Sequence, residues 1–144
     1  MDEGDRQQIH DLLFAYCDAA DRADPVATVD CFAPKATVDY GPGLAAEGRS
    51  NLLAMFGRFL GSTVATSHHL TNVRMQPSDD GADVTSYIMA WHLLPTDEHL
   101  LIVGRYIDTV VRTVDGWRLS HRRLEVHGSQ GPPVPFHRLD RLGA

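Results

Sequence analysis

The apolar residues change their spacing midway through the chain, and that change restricts the fold more than any single motif. Up to about residue 62 they recur at the three-to-four-residue interval of helices. From Thr66 onward they follow the two-residue alternation of strands. In "DRQQIHDLLFAYCDAADRAD", Ile9, Leu12, Leu13, Tyr16, Cys17 and Ala20 form one helical stripe that stops near Asp24-Pro25, because the residue before a proline is pushed out of the helical region. "PVATVDCFA" reads as a short second helix with its proline in the first turn and Pro34 closing it. "ATVDYGPG" reads as a short strand and turn. "GRSNLLAMFGRFLG" reads as a third helix with Ser50 as N-cap and Gly61 at its stop. Four β runs follow, separated by "SDDGA", "LPTDEH" and "VDGW", in which Asp-Gly is a strong hairpin signal. Helices first and an antiparallel meander afterwards imply an α+β fold, with the helices on one face of the sheet.

The chain has 144 residues, the size of one domain. Residues 1–130 are expected to form it, with the Gly/Pro-rich 131–144 as a tail. The formal charge of −6 and the lack of any basic run argue against nucleic acid or an anionic membrane as partner. The acidic "MDEGDRQQ" start does not read as a signal peptide, and no apolar run is long enough to span a bilayer. A cytoplasmic protein is therefore expected. Cys17 and Cys31 lie in apolar helical patterns and read as small buried hydrophobes. No metal is expected, because adjacent strand histidines diverge and no ligand spacing occurs on a helix; no glycine-rich nucleotide loop appears, so no cofactor is expected. Apolar residues on both faces of "YIMAWHLL" and "LLIVGRYIDTVV" point to a homodimer or higher homo-oligomer through the outer sheet face.

Polar residues inside these apolar patterns are the candidates for chemistry. Asp21 follows Leu13 and Cys17 at four-residue steps, a position that is buried or half-buried. It either meets water or an arginine (Arg22 or Arg105) at a fraying helix end, or it accepts a hydrogen bond from an imidazole and strengthens that ring as a base. His68, His69 and His92 are the available rings. Strict alternation groups His69 with Thr71, Val73 and Met75, and His68 with Leu70, Asn72 and Arg74. The second, more polar face resembles a pocket wall. On the last strand the same alternation sets Trp117, Leu119 and His121 against Arg118, Ser120 and Arg122. His10, His99 and His137 read as exposed and without a role.

Taken together, "YCDAADRAD", "CFAPKA", "GR" before the third helix, "SHHLTN" and "GRYID…DGWRL" resemble the SnoaL-like branch of the NTF2-like superfamily, over roughly residues 5–130. The resemblance implies a curved antiparallel sheet wrapped around the helices as a cone with one deep pocket. Among its members, the dehydratases and dehydrochlorinases are nearest in motif. They pair an Asp near the end of the first helix with the His of an H-x-x-x-N strand, which fall here on Asp21 and on His68 with Asn72. The same comparison carries Tyr16 and Arg122 into the catalytic set. The layouts of ketosteroid isomerase and limonene epoxide hydrolase are not evident. The resemblance thus implies a lyase that eliminates water, or a similar leaving group, from a small hydrophobic ring-containing substrate without a cofactor. An isomerase, a polyketide cyclase or a non-catalytic ligand-binding protein are the alternatives. Leu13, Phe32, Met55, Phe59, Met89 and Trp91 are expected as apolar walls, with His92 as a second acid or base or a packing residue. Phe136 of the tail is a candidate for closing the pocket mouth.

Overall fold

A computed structural model describes residues 1–143. Helix α1 (Glu3–Asp21) opens with a capping box, in which Asp2 and Asp5 each accept from the other's backbone N–H. Helix α2 (Pro25–Asp30) is capped by Asp24, whose carboxylate accepts from the Ala27 amide. The second helix is shorter than expected, because strand β1 (Phe32–Asp39) already begins before Pro34. Pro34 lies where the β1 register against its neighbour breaks, between Phe32 and Thr37, a place where a missing N–H costs no ladder bond. Strand β2 (Ala45–Glu47) leads into helix α3 (Arg49–Gly61). The cap of α3 is Gly48, not Ser50: at φ +82° the backbone turns from strand to helix in a region that favours glycine.

The remaining chain is a meander of long strands: β3 (Ala65–Ser78), β4 (Gly81–Leu93), β5 (His99–Thr113) and β6 (Gly116–Gln130), followed by the two-residue β7 (His137–Arg138). The sheet order is β2-β1-β6-β5-β4-β3, with β7 also on β6. β3 to β6 pair antiparallel, but β1 and β7 run parallel to β6. The sheet is therefore mixed rather than wholly antiparallel, since the α3 crossover separates β1 from the meander. It is curved and unclosed, with the helices packed on its inner face. No helix among the described residues is long and apolar enough to cross a membrane.

Two bulges decide which side chains face inward. On β3 the register shifts between Thr71 and Arg74, where Asn72 adopts φ +53°. Asparagine is among the few non-glycine residues that accept this conformation readily. The extra residue reverses the alternation, so Leu70 before it and Val73 and Met75 after it all pack on the core. On β6 the register shifts where Thr109 faces His121 but Val110 faces Leu119, leaving Ser120 unpaired. Trp117 and Leu119 face inward before this bulge, and Arg122, Leu124 and Val126 after it.

Candidate active site

Asp21 is the last residue of α1, and β3 brings His68 against it. The carboxylate accepts three hydrogen bonds. Oδ1 takes one from His68 Nδ1 at 2.6 Å and one from Thr66 Oγ1 at 2.9 Å, and Oδ2 takes one from the His68 backbone N–H at 3.0 Å. Partial burial raises the Asp21 pKa, but the three bonds outweigh it and hold the carboxyl below its ordinary range. A carboxylate only accepts, so Nδ1 carries the hydrogen of that bond, and in the neutral tautomer this leaves Nε2 with the lone pair. The His68 side chain is only 8% exposed and borders an internal cavity.

His92, on the inner face of β4, meets the His68 ring edge-on with centroids 5.9 Å apart. Its Nδ1 donates to the Leu100 carbonyl at 3.1 Å. Burial, with His68 adding to it, lowers the His92 pKa and favours the neutral ring. A pair of phenols also faces this cavity, with the hydroxyls of Tyr16 on α1 and Tyr40 after β1 2.5 Å apart. Burial raises the pKa of Tyr16 and takes Tyr40 and Tyr106 well above the usual tyrosine value, so all three stay protonated donors.

Arg122 does not line the cavity. Its guanidinium carbon lies 4.3 Å from the Tyr16 ring centroid and 3.8 Å from that of Tyr106. Its Nε and one terminal nitrogen each donate to Asp108 at 2.8 Å, with both side chains fully buried. Burial opposes the charged guanidinium, but the Asp108 carboxylate overrides that and keeps Arg122 protonated. Arg122, which the resemblance carries into the catalytic set, thus stands behind the two phenol rings, with one buried terminal nitrogen left without a partner. The bulge at Ser120 turns this arginine inward, against the strict alternation.

The apolar walls divide in a similar way. Phe59 and His92 border the cavity. Leu13, Phe32 and Met55 are buried in the core without lining it, Leu13 lying two helical turns before Asp21. Met89 and Trp91 are on the outer face, because β4 directs its even-numbered residues inward; Met89 is exposed and Trp91 donates to His99 at 3.2 Å. Their places are taken by Ile88, Ala90, Ile102, Tyr106 and Leu124. Tyr40 and Tyr106 were legible in principle: Ala36, Val38 and Tyr40 alternate, as do Ile102, Gly104 and Tyr106. His69 is exposed and bonds Ser67, and Arg105 pairs across strands with Glu125. His137, expected to be exposed, is half-buried, with its Nε2 2.6 Å from Asp39 Oδ1.

Comparison with known proteins places the chain in a family. The SnoaL-like domain model matches residues 4–123. A structure from Novosphingobium aromaticivorans, described provisionally as a scytalone dehydratase, superposes with a TM-score of 0.87 at 25% identity, covering 96% of this chain and 95% of that one. A second protein of the same organism, described provisionally as an aromatic ring hydroxylase, gives 0.86 at 26% identity, covering 92% and 96%. Hexachlorocyclohexane dehydrochlorinase LinA-type3 from Novosphingobium barchaimii gives 0.78 at 16% identity, with 92% of each chain covered, a likeness of fold alone. No curated protein sequence matches. With most of its length matched by the family model and the cone-shaped architecture shared with these structures, the chain belongs to the SnoaL-like family of the NTF2-like superfamily.

Proposed function

We propose that this protein is a lyase that removes water, or a similar leaving group, from a small hydrophobic ring-containing substrate bearing a carbonyl. The observation that carries the reading is the Asp21–His68 pair: a carboxylate fixed by three hydrogen bonds holds the imidazole by Nδ1, beside a cavity with apolar walls. His68 Nε2 takes a proton from the carbon next to the carbonyl, and Asp21 stabilises the imidazolium that forms. The C–H electron pair becomes the new C=C bond as the C–O bond to the leaving hydroxyl breaks. The departing oxygen takes a proton from the His68 imidazolium and leaves as water. Of the Tyr16–Tyr40 pair, one hydroxyl donates to the other, and the second supplies the free O–H to the carbonyl oxygen as charge develops there. Arg122 acts on this step through the two rings it stacks on. The likeness to a structure described as a dehydratase supports the reaction class.

The Tyr16–Tyr40 donors would equally hold an enolate on its way to isomerisation or cyclisation, the second reading of the same pocket. The test is product mass on a panel of cyclic β-hydroxy ketones. Elimination lowers the mass by one water, and rearrangement leaves it unchanged. Asp21→Asn and His68→Gln should each remove activity while the fold is retained. Full turnover by both variants would contradict the Asp21–His68 base, whereas binding of the panel with no turnover even by the wild type would leave ligand binding without catalysis as the account.

A further inference from the structure

The space beside His68 is small. Its volume is about 20 Å³, roughly room for one water, whereas an engineered cavity of about 150 Å³ takes up a benzene. A ring-sized space does exist next door. A chamber of about 200 Å³ lies beneath Pro132, Pro133, Val134 and Pro135, with Ser62 and Thr63 at its side. Phe59, His92, Ile102 and Phe136 line both spaces. Phe59 and Phe136 meet edge-on there, with centroids 6.0 Å apart.

The segment carrying Phe136 is held at its two ends. Gly131, at φ +116°, sits so close to the β5 start that a Cβ would lie 2.4 Å from the His99 carbonyl oxygen. At the far end the His137 amide donates to the Tyr40 carbonyl at 3.1 Å, His137 Nε2 pairs with Asp39, and the Leu139 amide donates to Val126. Between these anchors three prolines supply no amide hydrogens, and Pro132–Phe136 belongs to no strand. The partition thus has one wall, Phe59, on a helix and the other, Phe136, on a strap that is hydrogen-bonded at its far end and packs between by Val134 and Phe136.

We propose that Phe136 is the specificity-determining residue of this pocket, and that its displacement joins the two spaces so that the substrate spans them. The substrate is then a molecule of two apolar units, one placed against His68 and the other in the chamber under the prolines. This rests on the reading of the His68 cavity as the reacting site, and it deepens that reading by giving the shape of what enters.

Binding of phenol and of 4-phenylphenol, one aromatic unit against two, tests it by calorimetry without any turnover. Phe136→Ala should raise the affinity for 4-phenylphenol over phenol by about tenfold, and Phe136→Trp should lower that ratio. His137→Ala should leave the ratio near the wild-type value, quicken 4-phenylphenol association, and speed amide hydrogen exchange in the strap alone. An unchanged ratio in both Phe136 variants, or no saturable binding of 4-phenylphenol by any form, overturns the proposal. His68→Ala and Asp21→Asn should keep the Phe136 dependence. A lost acid–base role with an intact size effect therefore counts against the lyase reading alone.

Discussion

The molecule contains two Asp–His pairs with the same 2.6 Å contact, and their surroundings give them different work. His68 borders the cavity with its imidazole nearly enclosed, while Asp21 stands behind it, 29% exposed and with no arginine bonded to the carboxylate. Asp39 and His137 stand on the sheet edge, 36% and 27% exposed, where Arg123 also binds Asp39 at 2.9 Å. Arg123 reaches Glu125 as well, and Glu125 holds Arg105, so the edge pair ends a chain of ions across β5, β6 and β1. A carboxylate shared with a permanent cation polarises its histidine less, and solvent screens what remains. Contact geometry alone does not make a base. On the proposed reading, the pair that acts as a base is the one whose ring borders an enclosed space and whose carboxylate is not shared with a cation.

The sharpest way to break this contrast is by turnover. Asp21→Asn or His68→Gln should lower the elimination rate on the order of 10²–10⁴-fold, as expected for loss of a positioned base, whereas Asp39→Asn should change the chemical step by no more than about threefold. Equal losses from both pairs in single-turnover assays would erase the distinction. Next in size is the buried Arg122–Asp108 pair: Asp108→Asn should lower stability by about 3–5 kcal/mol, because an uncompensated buried charge remains. Urea unfolding checks this. His137→Ala, at a half-exposed pair, should cost about 0.2–1 kcal/mol by the same method.

The smallest effect is in acid. Asp5 is held at about 2 by the Asp2 backbone N–H and by Arg112, with Trp117 also donating at 3.3 Å. Asp21 and Asp39 are likewise lowered, Asp21 against its burial by the bonds from His68 and Thr66, Asp39 chiefly by its bond from His137. A carboxyl whose folded pKa is depressed adds stability that is complete above its unfolded value. That stability is lost as pH falls through the folded value. Unfolding free energy should therefore drop as pH falls from about 4 towards 2, and Asp5→Asn should flatten that slope. A pH-independent stability across this window in the wild type would contradict the ion-pair assignments.

The helix-to-strand switch, the hairpin turns and the end of α1 were legible in the sequence because each depends on local periodicity and turn chemistry. The parity of β3 and β6 was not. A bulge adds one residue without a composition signal, so strict alternation sets His68 apart from Val73 and Arg122 apart from Trp117 and Leu119. Alternation only hints at His68, through a polar-lined face that does not exist as such, since Asn72 and Arg74 are exposed; the family resemblance selects it. Asn72 in the H-x-x-x-N pattern carries the backbone turn of the bulge. Met89 and Trp91 were misplaced by hydrophobicity alone, which cannot tell the inner face of β4 from an apolar outer one. His137 finds its partner 98 residues away, a contact that only the folded strap creates.

The central claim concerns one tautomer. Long-range proton–nitrogen correlation spectra of the histidine rings, recorded at alkaline pH where the imidazoles are neutral, read it directly. His68 should carry its hydrogen on Nδ1 with Nε2 bare, and Asp21→Asn should abolish that preference. A His68 protonated on Nε2, or a tautomer indifferent to the loss of the Asp21 carboxylate, would contradict the account.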